Sequence, residues 1–173
     1  MILYSFDASA MIYLWDNYPI QNPNFDSMWQ WFFGQVAQEN FVISDVAIKE
    51  VKQKILYSKL EKDIPESAVF IKILNTIIVH KKTPEDLKTV QTIKSTLKID
   101  GEAYGKKGVG ENDLLIIANA KRQGAVLVTN EARQADLSQT QPRNYKIPAV
   151  CKLDGVNVEA INLTELLKLK ILW

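Results

Sequence analysis

The order of elements read from the chain predicts an α/β protein, a three-layer α/β/α sandwich around a central, mainly parallel sheet. Two features carry that prediction. The apolar runs Met1–Phe6, Phe41–Ile43 and Ala125–Thr129 are short and continuous rather than alternating, as strands buried on both faces are. Segments with helical spacing separate them, giving strand, helix, helix, strand, helices, helix, strand. Right-handed crossovers would then bring the carboxyl ends of the strands to one edge. A chain of 173 residues can bury one sizeable core. No repeat, low-complexity tract or long linker divides it, so residues 1–173 are read as a single domain.

The first strand stops at Asp7, and Ser9–Asn17 follows as a helix with Met11, Ile12, Leu14 and Trp15 as its apolar content. Pro19 and Pro23 bracket a loop. Phe25–Glu39 predicts a second helix rich in aromatic residues, among them Trp29, Phe32 and Phe33. Large aromatics of this kind pack inward rather than form a stacking surface. Ser44-Asp45 supplies an N-cap signal for a helix from Val46 to about Leu60, with Ile48, Val51, Ile55 and Leu56 facing the core. Pro65 to about Val79 predicts another helix. Thr83-Pro84-Glu85-Asp86 starts the next one with a capping Thr, Pro at the first position and acids in the first turn. Leu87, Val90, Ile93 and Leu97 follow at helical spacing. These two helices are expected to form an insert, about residues 65–100, beside the sheet.

Gly101–Gly110 holds four of the seven glycines and predicts a flexible loop. Its spacing is not that of a phosphate-cradling loop, and no strand precedes it. From Glu111 a helix apolar almost all round runs to a C-cap at Gly124. Ile147–Cys151 and Val156–Ile161 read as short edge strands and Leu163 to about Leu169 as a last helix. Residues 147–173 are therefore expected to extend a smaller core.

Composition excludes several classes. Net charge is +1, so no global electrostatic pull toward nucleic acid exists, and a local basic patch would have to supply one. The single Cys151 cannot form an intramolecular disulfide and fits a reducing compartment. No uncharged apolar run reaches the roughly 20 residues of a membrane span. The N-terminus has no basic residue before its apolar run, which Asp7 interrupts, so it is a poor signal peptide. A cytoplasmic protein without a membrane partner is expected.

Four acids stand out by position. Asp7 follows the first strand and Glu131 lies just beyond the Ala125–Thr129 strand. Asp113 opens a buried helix, and Glu50 sits at the core edge of its own. Each has a simpler local role: Asp7 as a helix cap, Asp113 as partner of its helix dipole, Glu50 as partner of Lys54 one turn on. As a set they say more, because a buried carboxylate needs a hydrogen-bond partner, a cation or water. Hard oxygen ligands without His or Cys favour Mg²⁺ or Mn²⁺ over zinc. Carboxylates at strand ends also lie where open α/β sheets bind ligands.

The segments Phe6-Asp7-Ala8-Ser9-Ala10, Ser44-Asp45-Val46 with Lys49-Glu50-Val51, Glu111–Ala120 and Leu127-Val128-Thr129-Asn130-Glu131 together resemble the PIN domain, in the family's order along most of the chain. That family includes metal-dependent ribonucleases, many of them VapC-like toxins of toxin–antitoxin systems. The resemblance implies a Mg²⁺- or Mn²⁺-dependent endoribonuclease that leaves a 5′-phosphate and a 3′-hydroxyl. It implies Asp7, Glu50, Asp113 and Glu131 as catalytic, metal-binding acids. Ser9 and Asn130, short polar residues beside them, are candidates to orient those acids. An antitoxin protein is the implied partner, with a homodimer as a further expectation.

The fourth acid is Glu131 where the family pattern has Asp, which makes Asp136 a possible substitute or helper. Lys52, Lys54, Lys106 and Lys107 are candidate RNA contacts, with Lys121 and Arg122 beside them, though each also reads as a solvated surface cation. His80 has no acid or nucleophile near it in sequence. Ser9 lacks an accompanying His, which argues against a Ser-His-Asp hydrolase. It also stands where a haloacid dehalogenase-type phosphatase needs a second Asp. The rival reading is a catalytically degenerate PIN-like module that binds RNA or protein without cutting.

Overall fold

Five strands form one parallel sheet in the computed structural model, which describes residues 2–61 and 65–170, without the side chains of 56–61, 65–68 and 170. Met1 and the side chain of Leu56, both named above, lie outside the described set. The strands are β1 (Tyr4–Phe6), β2 (Phe41–Ser44), β3 (Ile78–His80), β4 (Val126–Val128) and β5 (Ala160–Ile161), in the spatial order β3-β2-β1-β4-β5. All four pairings are parallel. Eight α-helices among the described residues surround them: α1 (Ala8–Asn17), α2 (Asp26–Ala37), α3 (Asp45–Glu61), α4 (Pro65–Leu74), α5 (Pro84–Leu97), α6 (Glu111–Gln123), α7 (Ile147–Cys151) and α8 (Leu163–Lys170).

Successive strand side chains point to opposite faces. Phe6, Ile43 and Val128 on one face are fully buried, and so are Ser5, Val42 and Leu127 on the other. Both faces are therefore covered, which gives the three predicted layers and explains the continuous apolar strands. The aromatic face of α2 lies on β1 and β2. The rings of Phe6 and Phe41 stand 5.0 Å apart, and Phe32 meets Phe41 at 5.1 Å. Tilted and edge-on pairs of this kind add about 0.5–1.5 kcal/mol each beyond their burial. Trp29 and Phe32 are buried with them; Phe33 is the exposed aromatic of that helix.

Several expectations are corrected. The helix predicted from Pro65 to Val79 ends at Leu74, and Ile78–His80 pairs with β2 as an edge strand. The segment expected as a helical insert thus supplies part of the sheet. Ile147–Cys151 is a short helix rather than a strand, because Pro148 fits its first turn and cannot donate to a ladder. The strand expected over Val156–Ile161 is confined to Ala160–Ile161, and it closes the other edge. Leu87 is exposed, and the buried stripe of α5 is Val90, Ile93, Lys94 and Leu97. Thr83 and Asp86 do form the capping box, and Asp86, fully buried, also pairs with Arg122 at 2.8 Å.

The glycine-rich loop is anchored rather than loose. Val109 N donates to Tyr145 O at 2.9 Å, and Tyr104 OH donates to Glu111, which Lys94 also reaches at 3.2 Å. A Cβ at Gly105 or Gly108 would collide with the carbonyl oxygen of Arg143. Gly108→Ala is therefore expected to cost about 1–3 kcal/mol, as overpacking does. Urea denaturation measures it, and unchanged stability would show that the turn at Arg143 yields freely.

Candidate functional site

The register sets the site. Phe6 is level with Ile43 on one side and Val128 on the other, so Asp7, Ser44 and Thr129 reach the same edge together. Strands β2 and β3 continue from β1 in one direction, β4 and β5 in the other. The carboxyl ends of β1 and β4 thus flank the switch point where open α/β sheets form a crevice. Helix α3 leaves that edge after β2 and carries Glu50 in its second turn. Helix α6 runs back from the same edge toward the start of β4, so its first turn places Asp113 there as well.

Asp7 is 3% exposed and caps α1, its Oδ2 accepting from Ser9 N at 3.3 Å. Ser9 Oγ donates to the same oxygen, and Thr129 Oγ1 does so at 3.0 Å. The capping role and the site role thus coincide in one side chain. Asn130 N donates to Ser9 Oγ at 3.0 Å, so Asn130 supports Asp7 through its backbone, not through the side chain the sequence suggested. Asp113 Oδ2 accepts from Gly110 N at 2.7 Å. Glu131 Oε2 accepts from Ile147 N at 2.8 Å, the first residue of α7. Glu50 Oε1 accepts from Asn112 Nδ2.

These bonds leave one oxygen of each of Asp7, Asp113 and Glu131 without a donor among the described residues. The ion pairs seen there, Lys94–Glu111, Arg122–Asp86 and Arg133–Glu165, involve none of these three acids. Neutral donors hold the carboxylates in place and leave their charge uncompensated. Burial pushes the Asp113 carboxyl up to about 6, against a lowering bond from Gly110, and the charges of Asp7, Glu131 and Glu50 raise it further. Asp7, Glu131 and Glu50 therefore each lie close enough to Asp113 for their charge to act on it. They do not close on a point: no three Asp, Glu, His or Cys side chains among the described residues are arranged to hold a metal ion. By donor type and charge the residues fit a hard divalent cation, which would draw in the free oxygens.

Asp136 is exposed and bonded to Ser138 Oγ at 2.6 Å, and it is not among the acids that act on Asp113. Lys52 donates to Asn75 at 2.8 Å, Lys54 lies on the exposed side of α3, and Lys106 and Lys107 are exposed on the anchored loop. Arg122 is held by Asp86 and the carbonyl of Lys81, and Lys121 by the carbonyl of Gly155. His80 offers its backbone oxygen to Asn119 on α6.

Three neighbours of the acids escaped sequence reasoning. Thr129 touches Asp7 across 122 positions of chain, visible once β1 and β4 are known as neighbours. Asn112 bridges two acids' helices. Buried Cys151 lies near Asp7 and Glu131; burial first, then those charges, pushes its thiol up to about 12, which excludes it as a nucleophile. Thr129→Val is expected to lower stability by roughly 1.5–3 kcal/mol, the value of a hydrogen bond to a charged group. Equal urea midpoints for variant and wild type would deny Thr129 this role.

No curated protein sequence matches the chain. Solved structures with this fold include VapBC2 from Rickettsia felis bound to a DNA fragment from their promoter, at 17% identity and TM-score 0.58, covering 93% of this chain and 98% of that one. DNA-bound VapBC from Salmonella typhimurium gives 17% and 0.58, over 94% and 98%. PAE2754 from Pyrobaculum aerophilum gives 18% and 0.53, over 96% and 94%. At such identities the likeness is one of fold, and it agrees with the PIN-domain resemblance carried by the acids. The family model for a domain of unknown function, DUF4411, matches residues 4–171, and the chain belongs to that family, built on a PIN-like fold.

Proposed function

We propose that the protein is a Mg²⁺- or Mn²⁺-dependent endoribonuclease, the toxin of a toxin–antitoxin pair. The observation that supports this reading is the placement of Asp7, Glu50 and Glu131 around Asp113 at the carboxyl edge of the sheet, each of the four accepting from a neutral donor. A bound divalent ion would neutralise the scissile phosphate and lower the pKa of an attacking water. Asp7 and Asp113 would each offer the ion one free oxygen. Glu50 and Glu131 complete the negative field and orient water. Ser9 and Thr129 keep the Asp7 carboxylate from rotating, a constraint that favours one ligand geometry. The VapBC structures of the same fold support an antitoxin partner.

The open arrangement of the acids favours a second reading, a module that binds RNA without cutting it. Incubation of the purified protein with varied RNAs separates the two. Cleavage in Mg²⁺ or Mn²⁺, absent in EDTA and leaving 5′-phosphate and 3′-hydroxyl ends, is expected. RNA that is bound but stays intact in both metals would establish the non-cutting module. Among the described residues no helix is long and apolar enough to cross a membrane.

A further inference from the structure

A cleft of about 120 Å³ opens beyond the ends of β4 and β5 and shares Glu131 with the acid cluster. That is below the roughly 300–1,000 Å³ of whole-ligand sites, so it has room for a fragment about the size of one base and not for a whole nucleotide. Pro148 and Ile161 give it apolar walls. Its polar members are differently disposed. Asn162 uses its Oδ1 to accept from Glu165 N at 2.8 Å, which leaves its amide NH₂ as a donor. Arg133 Nη2 donates to Glu165 at 2.9 Å and to Ala160 O at 3.4 Å, which leaves its other guanidinium N–H groups as donors, with about half of the side chain exposed. The side chain of Asn130 has no hydrogen-bond partner among the described residues, although its backbone N–H supports Ser9.

Apolar walls with amides and a guanidinium at the rim match a nucleobase, which has two apolar faces and a hydrogen-bonding edge. Single-stranded RNA is recognised mainly through such splayed bases. We infer that this cleft is a base subsite: it takes the base of one nucleotide flanking the bond placed at the acids, and Asn130, Arg133 and Asn162 read its edge. The inference rests on the nuclease reading for the position of the scissile bond. It adds the element that would make cleavage depend on sequence, which the acids alone cannot do.

The test uses the full chain and labelled six-nucleotide RNAs carrying one abasic position, moved stepwise along the strand, with Ca²⁺ present to neutralise the acids. Fluorescence anisotropy is expected to show an affinity loss of about tenfold at one position, the scale of one good base contact. Ala132→Phe, at an exposed residue of the cleft wall, should fill the space and abolish that dependence, and Arg133→Gln should weaken it. Hydrolysis of the abasic diribose phosphate in Mn²⁺, a small diester with neither a base nor an aromatic ring, should stay within about twofold in Ala132→Phe. A flat scan in the wild type overturns the subsite, as does a position dependence that survives Ala132→Phe. Equal loss of the small diester's hydrolysis overturns it too, by showing that the cleft acts only through Glu131. Failure of the wild type to hydrolyse the small diester sinks the nuclease reading instead, and the abasic scan still decides the subsite.

Discussion

Asp7→Asn is expected to lower metal-dependent RNA cleavage about a thousandfold, or ~4 kcal/mol of transition-state stabilisation, with the fold intact. The two effects separate because the side chain has two jobs. As a cap it needs only an acceptor for Ser9 N, and Asn caps a helix about as well as Asp. Ser9 and Thr129 can also donate to an amide oxygen. As a ligand it needs a full negative charge on its free oxygen, and Asn has none. Cleavage assays beside thermal melts check this directly. Activity within tenfold of wild type would remove Asp7 from the chemistry.

Asp113→Asn is expected to stabilise the metal-free protein at pH 7.5 by up to roughly 3 kcal/mol, the equivalent of the displacement of its pKa from 3.8 to about 6. The sign follows from proton binding. The folded state holds the Asp113 proton more tightly than the unfolded chain does, so wild-type stability falls as pH rises from about 4 through about 6. Below pH 4 the carboxyl is protonated in both states and the advantage of the variant vanishes. Asn keeps an oxygen for Gly110 N–H, removes a charge that is costly to bury and, with it, the repulsion from Asp7, Glu131 and Glu50. Urea denaturation at pH 4 and pH 7.5 measures the difference. An equal gap at both values would show that the buried charge of Asp113 is not its source. The same variant should lose cleavage, so a stability gain at the cost of function would mark strain held for the site.

The acids were legible because each sits at a boundary that periodicity already marks: a strand end for Asp7 and Glu131, a helix start for Asp113, a core margin for Glu50. What escaped depends on contacts far apart in sequence. Ile77–Val79 continues the apolar spacing of Phe70, Ile73 and Leu74, so β3 looked like more of α4 until its pairing with β2 was known. Ile147–Cys151 is apolar throughout, and a short buried helix and a buried strand have the same composition. Gly105 and Gly108 suggested freedom, but the backbone at Arg143, nearly 40 residues on, requires them to be small. Thr129 was visible as a strand end and acquires its role only when β4 lies beside β1. The surface lysines could not be placed at all, since nothing in local sequence says which way a solvated side chain leans.

The central claim is that these four carboxylates form one site for a divalent cation. Calorimetric titration of the protein with Mn²⁺ at pH 7.5 tests it most directly, independent of any substrate. Saturable uptake by the wild type is predicted, lost in Asp7→Asn and in Asp113→Asn and weaker at pH 5, where Asp113 holds its proton. A wild type that takes up no Mn²⁺, or variants that bind it as the wild type does, would contradict the account.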